Sequence, residues 1–216
     1  MTNCYKSFIE LSGRETEGRD YRIRSCLRNS PVLVVAPHGG KIEPGTTEIA
    51  EAIAGEEYSF YSLEGIKSEG NGVLHIGSHL FDEPRALEAV KDAEIVLTVH
   101  GQAGKIDEFV MLGGLNTDLK AEIEYELNVS GFQTLEPTEG LRAVDVRNIC
   151  NRGCSGKGVQ LEISRGLRDI LRADKNHLCE YADAVRRGVQ SHRRELESRG
   201  PEVSLRQLTI FPGKLL

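Results

Sequence analysis

Short apolar runs alternate along the chain with longer stretches in which apolar residues recur every three to four positions. This exchange of strand and helix periods is that of an α/β domain. Val32-Leu-Val-Val-Ala36, Ile95-Val-Leu-Thr-Val99 and Val159-Gln-Leu-Glu-Ile163 are rich in β-branched residues and bounded by Gly, Pro or polar residues, which predicts three strands. Less strongly patterned strands are expected at 58–63, 73–76 and 109–112. Helical periods predict helices over 46–54, 84–90, 118–130 and about 177–198. In the third of these Leu119, Ile123 and Leu127 lie four apart, with Asn116 or Thr117 placed to cap it and Gly131 just past its end. The last has a charge-rich face suited to solvent. With no internal repeat and no low-complexity linker, residues 1–216 are expected to form a single α/β domain, its mixed, mostly parallel sheet flanked by helices.

Length and charge narrow the functional classes. At ~150 residues per domain the 216 residues correspond to between one and two domains. A chain of this size buries roughly 70% of its unfolded surface, so a metal would serve chemistry rather than hold up the core. Net charge is 27 − 33 = −6, against a broadly basic nucleic-acid binder. The longest wholly apolar run, Val32 to Ala36, is five residues, far short of the ~20 a membrane span needs. No apolar stretch follows a basic start at the N-terminus, and the five cysteines form no repeating close pairs. Both observations make a cytoplasmic location the expectation, with release by lysis as one route to an external substrate. A monomer is expected.

The richest chemistry lies in Pro37-His38-Gly39-Gly40-Lys41-Ile42-Glu43-Pro44-Gly45-Thr46, between a strand and a helix, where open α/β sheets bind ligands. One reading is a phosphate cradle, as in a non-catalytic nucleotide-binding module. It is weakened by Lys41 standing too early for a Walker pattern and by the charge of Glu43. The other reading makes His38 and Glu43 metal ligands. Val99-His100-Gly101 then puts a second histidine at the end of a second buried strand, and two histidines with one carboxylate leave a position open, as in catalytic zinc sites. In the strand around Glu162, Val159, Leu161 and Ile163 face one way and Gln160, Glu162 and Ser164 the other. A carboxylate there needs a partner or a function, which makes Glu162 a candidate general base or, alternatively, half of a salt bridge with a nearby arginine.

From Leu141 to Lys175 eight basic residues face four acids, a local +4 in an acidic chain. Arg165 and Arg168, directly after the strand, are the candidate clamps for a substrate carboxylate. His75, His79 and Asp82 form a rival metal set, although Gly77 argues for a loop bordering the cleft instead. Cys150 and Cys154 lack the second pair of a structural zinc site.

The segments APHGGKIEPGTTEIA, YSFYSLEG, LHIGSHLFDEPRAL, VLTVHG, GGLN and GVQLEISRGLR occur in that order between about Val32 and Arg168. In this the chain resembles the poly-γ-glutamate hydrolases of Bacillus phages and bacterial chromosomes. The resemblance implies a zinc carboxypeptidase-like fold and zinc-dependent cleavage of γ-glutamyl amide bonds. It also implies zinc ligands at His38, Glu43 and His100, a catalytic glutamate at Glu162, and poly-γ-glutamate as the polymeric partner. A zinc amidase acting on small acylated amino acids or peptide ends is the alternative substrate reading.

Overall fold

The computed structural model describes residues 4–102 and 107–199. Seven strands form one sheet: β1 (Tyr21–Cys26), β2 (Val32–Gly40), β3 (Ser59–Gly65), β4 (Ile95–Gln102), β5 (Val110–Gly113), β6 (Thr134–Leu135) and β7 (Val159–Ser164). Their order is β1-β3-β2-β4-β7-β5-β6. The central β3, β2, β4 and β7 run parallel, whereas β1 and β5 join antiparallel to β3 and β7. The sheet is therefore mixed and mostly parallel at its centre.

Parallel strands are covered on both faces, which is why β2 reads as an unbroken apolar run rather than an alternation. Val32, Val34 and Ala36 enter one core, together with Ile49 and Ile53 of α2 (Thr46–Ala54) and Leu119, Ile123 and Leu127 of α4 (Thr117–Val129). Leu167 and Leu171 of α5 (Arg165–Ala173) and Tyr181, Val185 and Val189 of α6 (Lys175–Arg199) complete that layer. Leu33 and Val35 enter the second core, under α1 (Phe8–Ser12) and α3 (Pro84–Lys91), with Leu74, Ile76, Phe81 and Ile149. Fully burying a side chain of this kind contributes about 1.5–3 kcal/mol relative to leaving it in water. Asn116 caps α4 by accepting the Leu119 amide at 3.2 Å.

The expected strand at 73–76 is instead a 3-10 turn, Asn71–Leu74. The Val73 and His75 amides fold back onto the Gly70 and Gly72 carbonyls, both at 3.3 Å. Burial still alternates through Leu74 and Ile76, which is what mimics a strand. The hydrophobic pattern does not predict α1, β1, β6 or α5. β1 is a polar edge strand and β6 has two residues. In α5 the apolar period is confined to Leu167, Ile170 and Leu171 directly behind β7, and Ser164 Oγ caps it by accepting the Leu167 amide.

Candidate metal centre and active site

Alternation aims three side chains at one face. Leu97 and Val99 of β4 lie in the helix-covered core, so His100 points to the opposite side, as do Gln160 and Glu162 of β7. His100 and Glu162 are direct partners across the parallel pair. By strict alternation His38 would share the face of Val34 and Ala36. The pairing register of β2 with β3 shifts between Ala36 and Gly39, and the bulge turns the ring onto Ile76 and Phe81 on the other side. At Gly40, with φ +61°, the chain turns into the loop that bears Glu43. The Glu43 amide bonds back to the His38 carbonyl at 2.9 Å, and Thr46 Oγ1 donates to the same carbonyl at 3.2 Å.

The result is a convergence of ligand-type atoms. His38 Nδ1 lies 3.2 Å from both Glu43 Oε1 and His100 Nδ1, and His100 Nδ1 lies 3.8 Å from Glu43 Oε2. Zinc bonded tetrahedrally at about 2.0–2.1 Å holds its ligand atoms roughly 3.3 Å apart. The other ring nitrogens face outward: His38 Nε2 donates to the Ile76 carbonyl at 2.7 Å, and His100 Nε2 is 3.4 Å from Ser78 Oγ. Such outer partners fix ring orientation in metal sites. Glu43 Oε2 accepts the Gly101 amide at 2.7 Å. A Cβ at position 101 would fall 2.6 Å from Arg168 Cζ, so the glycine leaves room for that guanidinium against the end of β4.

His75 joins the cluster. It stacks on His38 with ring centroids 3.9 Å apart, and its Nε2 is 3.6 Å from Glu43 Oε1. His38, Glu43 and His75 offer ligand atoms that all lie within 4.8 Å of one another. The rival set of His75, His79 and Asp82 is not assembled. Asp82 instead accepts the Phe8 amide, while His79 lines the cavity with Gly77 and Ser78.

His38, Glu43, His75, His100, Gln160 and Glu162 share a cavity of about 410 Å3 at the carboxyl ends of the central parallel strands, the binding position of open α/β sheets. Burial, reinforced by His38, pushes His100 down to about 3, and burial lowers His75 as well. Both rings are thereby held neutral, the form that ligates metals. Burial works to raise the Glu43 carboxyl, but His38, His75 and His100 around it hold it well below the ordinary range. Glu162 goes the other way, raised to about 8 by burial and then by the charge of Glu43.

The two arginines expected as substrate clamps stand outside the cavity lining. Arg165 is exposed and pairs with Asp169 at 3.4 Å. Arg168 is buried, and its guanidinium donates to the backbone carbonyls of Ile163, Pro44 and Gln102. The phosphate reading also meets an obstacle in the geometry. The amides of Gly40, Lys41, Ile42 and Glu43 are already bonded within the protein, and Lys41 Nζ donates to the Lys67 carbonyl.

A mixed sheet with a crevice of histidines and carboxylates at the ends of its central strands defines an α/β enzyme. Residues 5–181 match the sequence profile of the poly-gamma-glutamate hydrolases, and the chain belongs to that hydrolase family. It is 40% identical over 171 residues to the UPF0714 protein YndL of Bacillus subtilis (strain 168), covering 78% of this chain and 67% of YndL. Against YmaC of the same organism, identity is 36% over 172 residues, covering 78% and 72%. The fold superimposes on a bacteriophage poly-gamma-glutamate hydrolase with a TM-score of 0.85 at 32% identity, covering 90% of this chain and 100% of that one. A structure of YndL described as apo and zinc-free gives 0.83 at 35% identity, covering 88% and 99%. Among the described residues no helix is long and apolar enough to cross a membrane.

Proposed function

We propose that this protein is a zinc-dependent hydrolase of γ-glutamyl amide bonds in poly-γ-glutamate, with zinc held by His38, Glu43 and His100 and with Glu162 as general base. The observation that carries this reading is the convergence of His38 Nδ1, Glu43 and His100 Nδ1 in the cavity that Glu162 also lines. Two imidazoles and one carboxylate suit zinc and leave a position open. The apo, zinc-free description of YndL and the name of the family support metal and substrate.

Bound zinc supplies Lewis acidity, polarising a carbonyl and acidifying water. Glu162 takes the proton from the attacking water and returns it to the departing amide nitrogen. Burial raises its affinity for protons in the metal-free site, and the charge of bound zinc would lower it again toward the range in which a carboxyl can both accept and release. The Ile76 carbonyl, Ser78 hydroxyl and Gly101 amide keep the ligand side chains in place.

One observation favours a second ligand set, in which His75 replaces His100: the compactness of the His38, Glu43 and His75 atoms. Zinc affinity of His75→Ala against His100→Ala decides between them, the true ligand showing the larger loss. The reading as a whole is tested by the size distribution of poly-γ-glutamate after incubation with purified protein. Chelator-treated and zinc-restored samples are run beside it. Shortening that disappears with chelation and returns with zinc is expected. An unchanged polymer with zinc-loaded protein overturns the substrate, and small N-acyl and γ-glutamyl compounds become the next panel.

A further inference from the structure

Glu162 does not stand alone on β7. Its Oε1 accepts a hydrogen bond from Gln160 Nε2 at 2.8 Å, and Gln160 Oε1 in turn accepts from Asn148 Nδ2 at 3.0 Å. Asn148 Oδ1 accepts the backbone amide of Cys150 at 3.1 Å. All three side chains are buried and line the same cavity.

The direction of this chain follows from its far end. A backbone N–H can only donate, so the atom of Asn148 facing Cys150 is its oxygen and the group facing Gln160 is its NH2. That NH2 needs an acceptor, so Gln160 presents its oxygen to Asn148 and its NH2 to Glu162. Neither amide can flip without setting two donors or two acceptors against each other in a buried site, a costly arrangement. Gln160 and Glu162 share a face of β7 because they are two residues apart. Asn148 is brought to them as the N-cap of the 3-10 turn Ile149–Arg152.

We propose that Asn148 and Gln160 are positioning residues, a two-amide relay that occupies Oε1 of Glu162 and leaves its second oxygen to exchange the proton with water. The proposal rests on the reading of Glu162 as the general base. It makes the polarity of the relay, rather than mere polarity at these positions, the requirement for turnover.

Asn148→Asp is the discriminating variant. It keeps the shape and the acceptor for the Cys150 amide but has no N–H for Gln160, whose amide then turns its NH2 toward position 148 and its oxygen toward Glu162. Gln160→Met removes the donor without adding charge. In each variant kcat is expected to fall about 10- to 100-fold, the usual cost of losing an outer partner. KM should stay within about twofold and zinc content should be unchanged. In a Glu162→Gln background the same substitutions should cost nothing further, because groups acting through one residue are not additive.

Agreement between the two variants separates orientation from added charge, and should Gln160→Met fail to fold, Asn148→Ala, which also removes the donor without adding charge, takes its place. Turnover within twofold of the parent in both variants, or losses that recur in full in the Glu162→Gln background, overturns the relay. Full turnover in Glu162→Gln by itself overturns the underlying assignment of the base, an outcome distinct from failure of the relay.

Discussion

Glu43 and Glu162 are buried carboxylates, 5% and 6% exposed, lining one cavity, yet their surroundings drive them to opposite states. The loop around Glu43 surrounds its carboxylate with the Gly101 amide and the rings of His38, His75 and His100, and the anion is favoured despite burial. The strand around Glu162 offers the Gln160 amide, and burial together with the Glu43 charge favours the proton. Two neighbouring carboxyls pushed apart in this way suit the division of work proposed above, one remaining an anion fit to hold a cation and the other titrating.

Breaking the first half of the comparison has the largest effect. Glu43→Gln removes the anion but keeps the shape. Zinc affinity should collapse and turnover should fall on the order of 10^3-fold or more, since the several kcal/mol that a metal gives the transition state are lost with it. Metal analysis after dialysis, paired with polymer-cleavage rates, checks both. A Glu43→Gln protein that keeps stoichiometric zinc would remove Glu43 from the ligand set.

The second half breaks differently. Glu162→Gln should keep its zinc while kcat falls about 10^2- to 10^4-fold, the span that general acid-base catalysis covers. Single-turnover rates on zinc-loaded protein are the measurement. If zinc is lost along with rate, the two carboxylates do not have separate duties.

The same variant sharpens the contrast through stability. The folded carboxyl of Glu162 is raised to about 8, whereas in the unfolded chain it titrates near its ordinary 4.5. Below pH 4.5 both forms hold the proton and no penalty exists. As pH rises toward 8 the unfolded chain gives up its proton first, so the metal-free protein loses stability across that window, by a few kcal/mol at most. His100, depressed to about 3, acts in the opposite sense between its unfolded value of 6.5 and acid pH. The difference between the denaturation curves of metal-free parent and Glu162→Gln protein therefore isolates Glu162. It should grow between pH 4.5 and 8, and a flat difference would mean that Glu162 is not the proton-holding group.

Much of this site is legible from residue order, for identifiable reasons. Strand alternation puts Glu162 opposite Val159, Leu161 and Ile163, and two strands ending in histidine point to one edge of the sheet. The segment bearing His75 and His79 is expected to border the cleft, and Gly77, Ser78 and His79 line it. What stays hidden depends on contacts distant in the chain. The stacking of His75 on His38 follows from the 3-10 turn that replaces an apparent strand, and spacing alone pairs His75 with His79 and Asp82 instead. The bulge that re-aims His38 leaves no mark beyond the two glycines that follow it. Asn148 and Gln160 are twelve residues apart and meet through the fold. The basic segment is visible in its charge, but charge does not say whether a guanidinium faces substrate or carbonyl groups.

Arg165 and Arg168 supply the mildest and most direct test of that last distinction. They stand three positions apart at the start of α5, one exposed against Asp169 and the other buried against three backbone carbonyls. Arg168→Met strands those carbonyls, which tie the Pro44 loop and the end of β4 to β7. A loss of about 2–4 kcal/mol is expected, or roughly 5–15 °C in Tm at ~2–4 °C per kcal/mol. Arg165→Ala removes one solvated ion pair, worth less than about 1 kcal/mol. Its Tm, kcat and KM should match the parent within error, with KM changed less than about twofold. A KM that rises severalfold on poly-γ-glutamate, with zinc and Tm intact, would instead put Arg165 against a substrate carboxylate. The extended polymer would then reach past the cavity and along the first turn of α5.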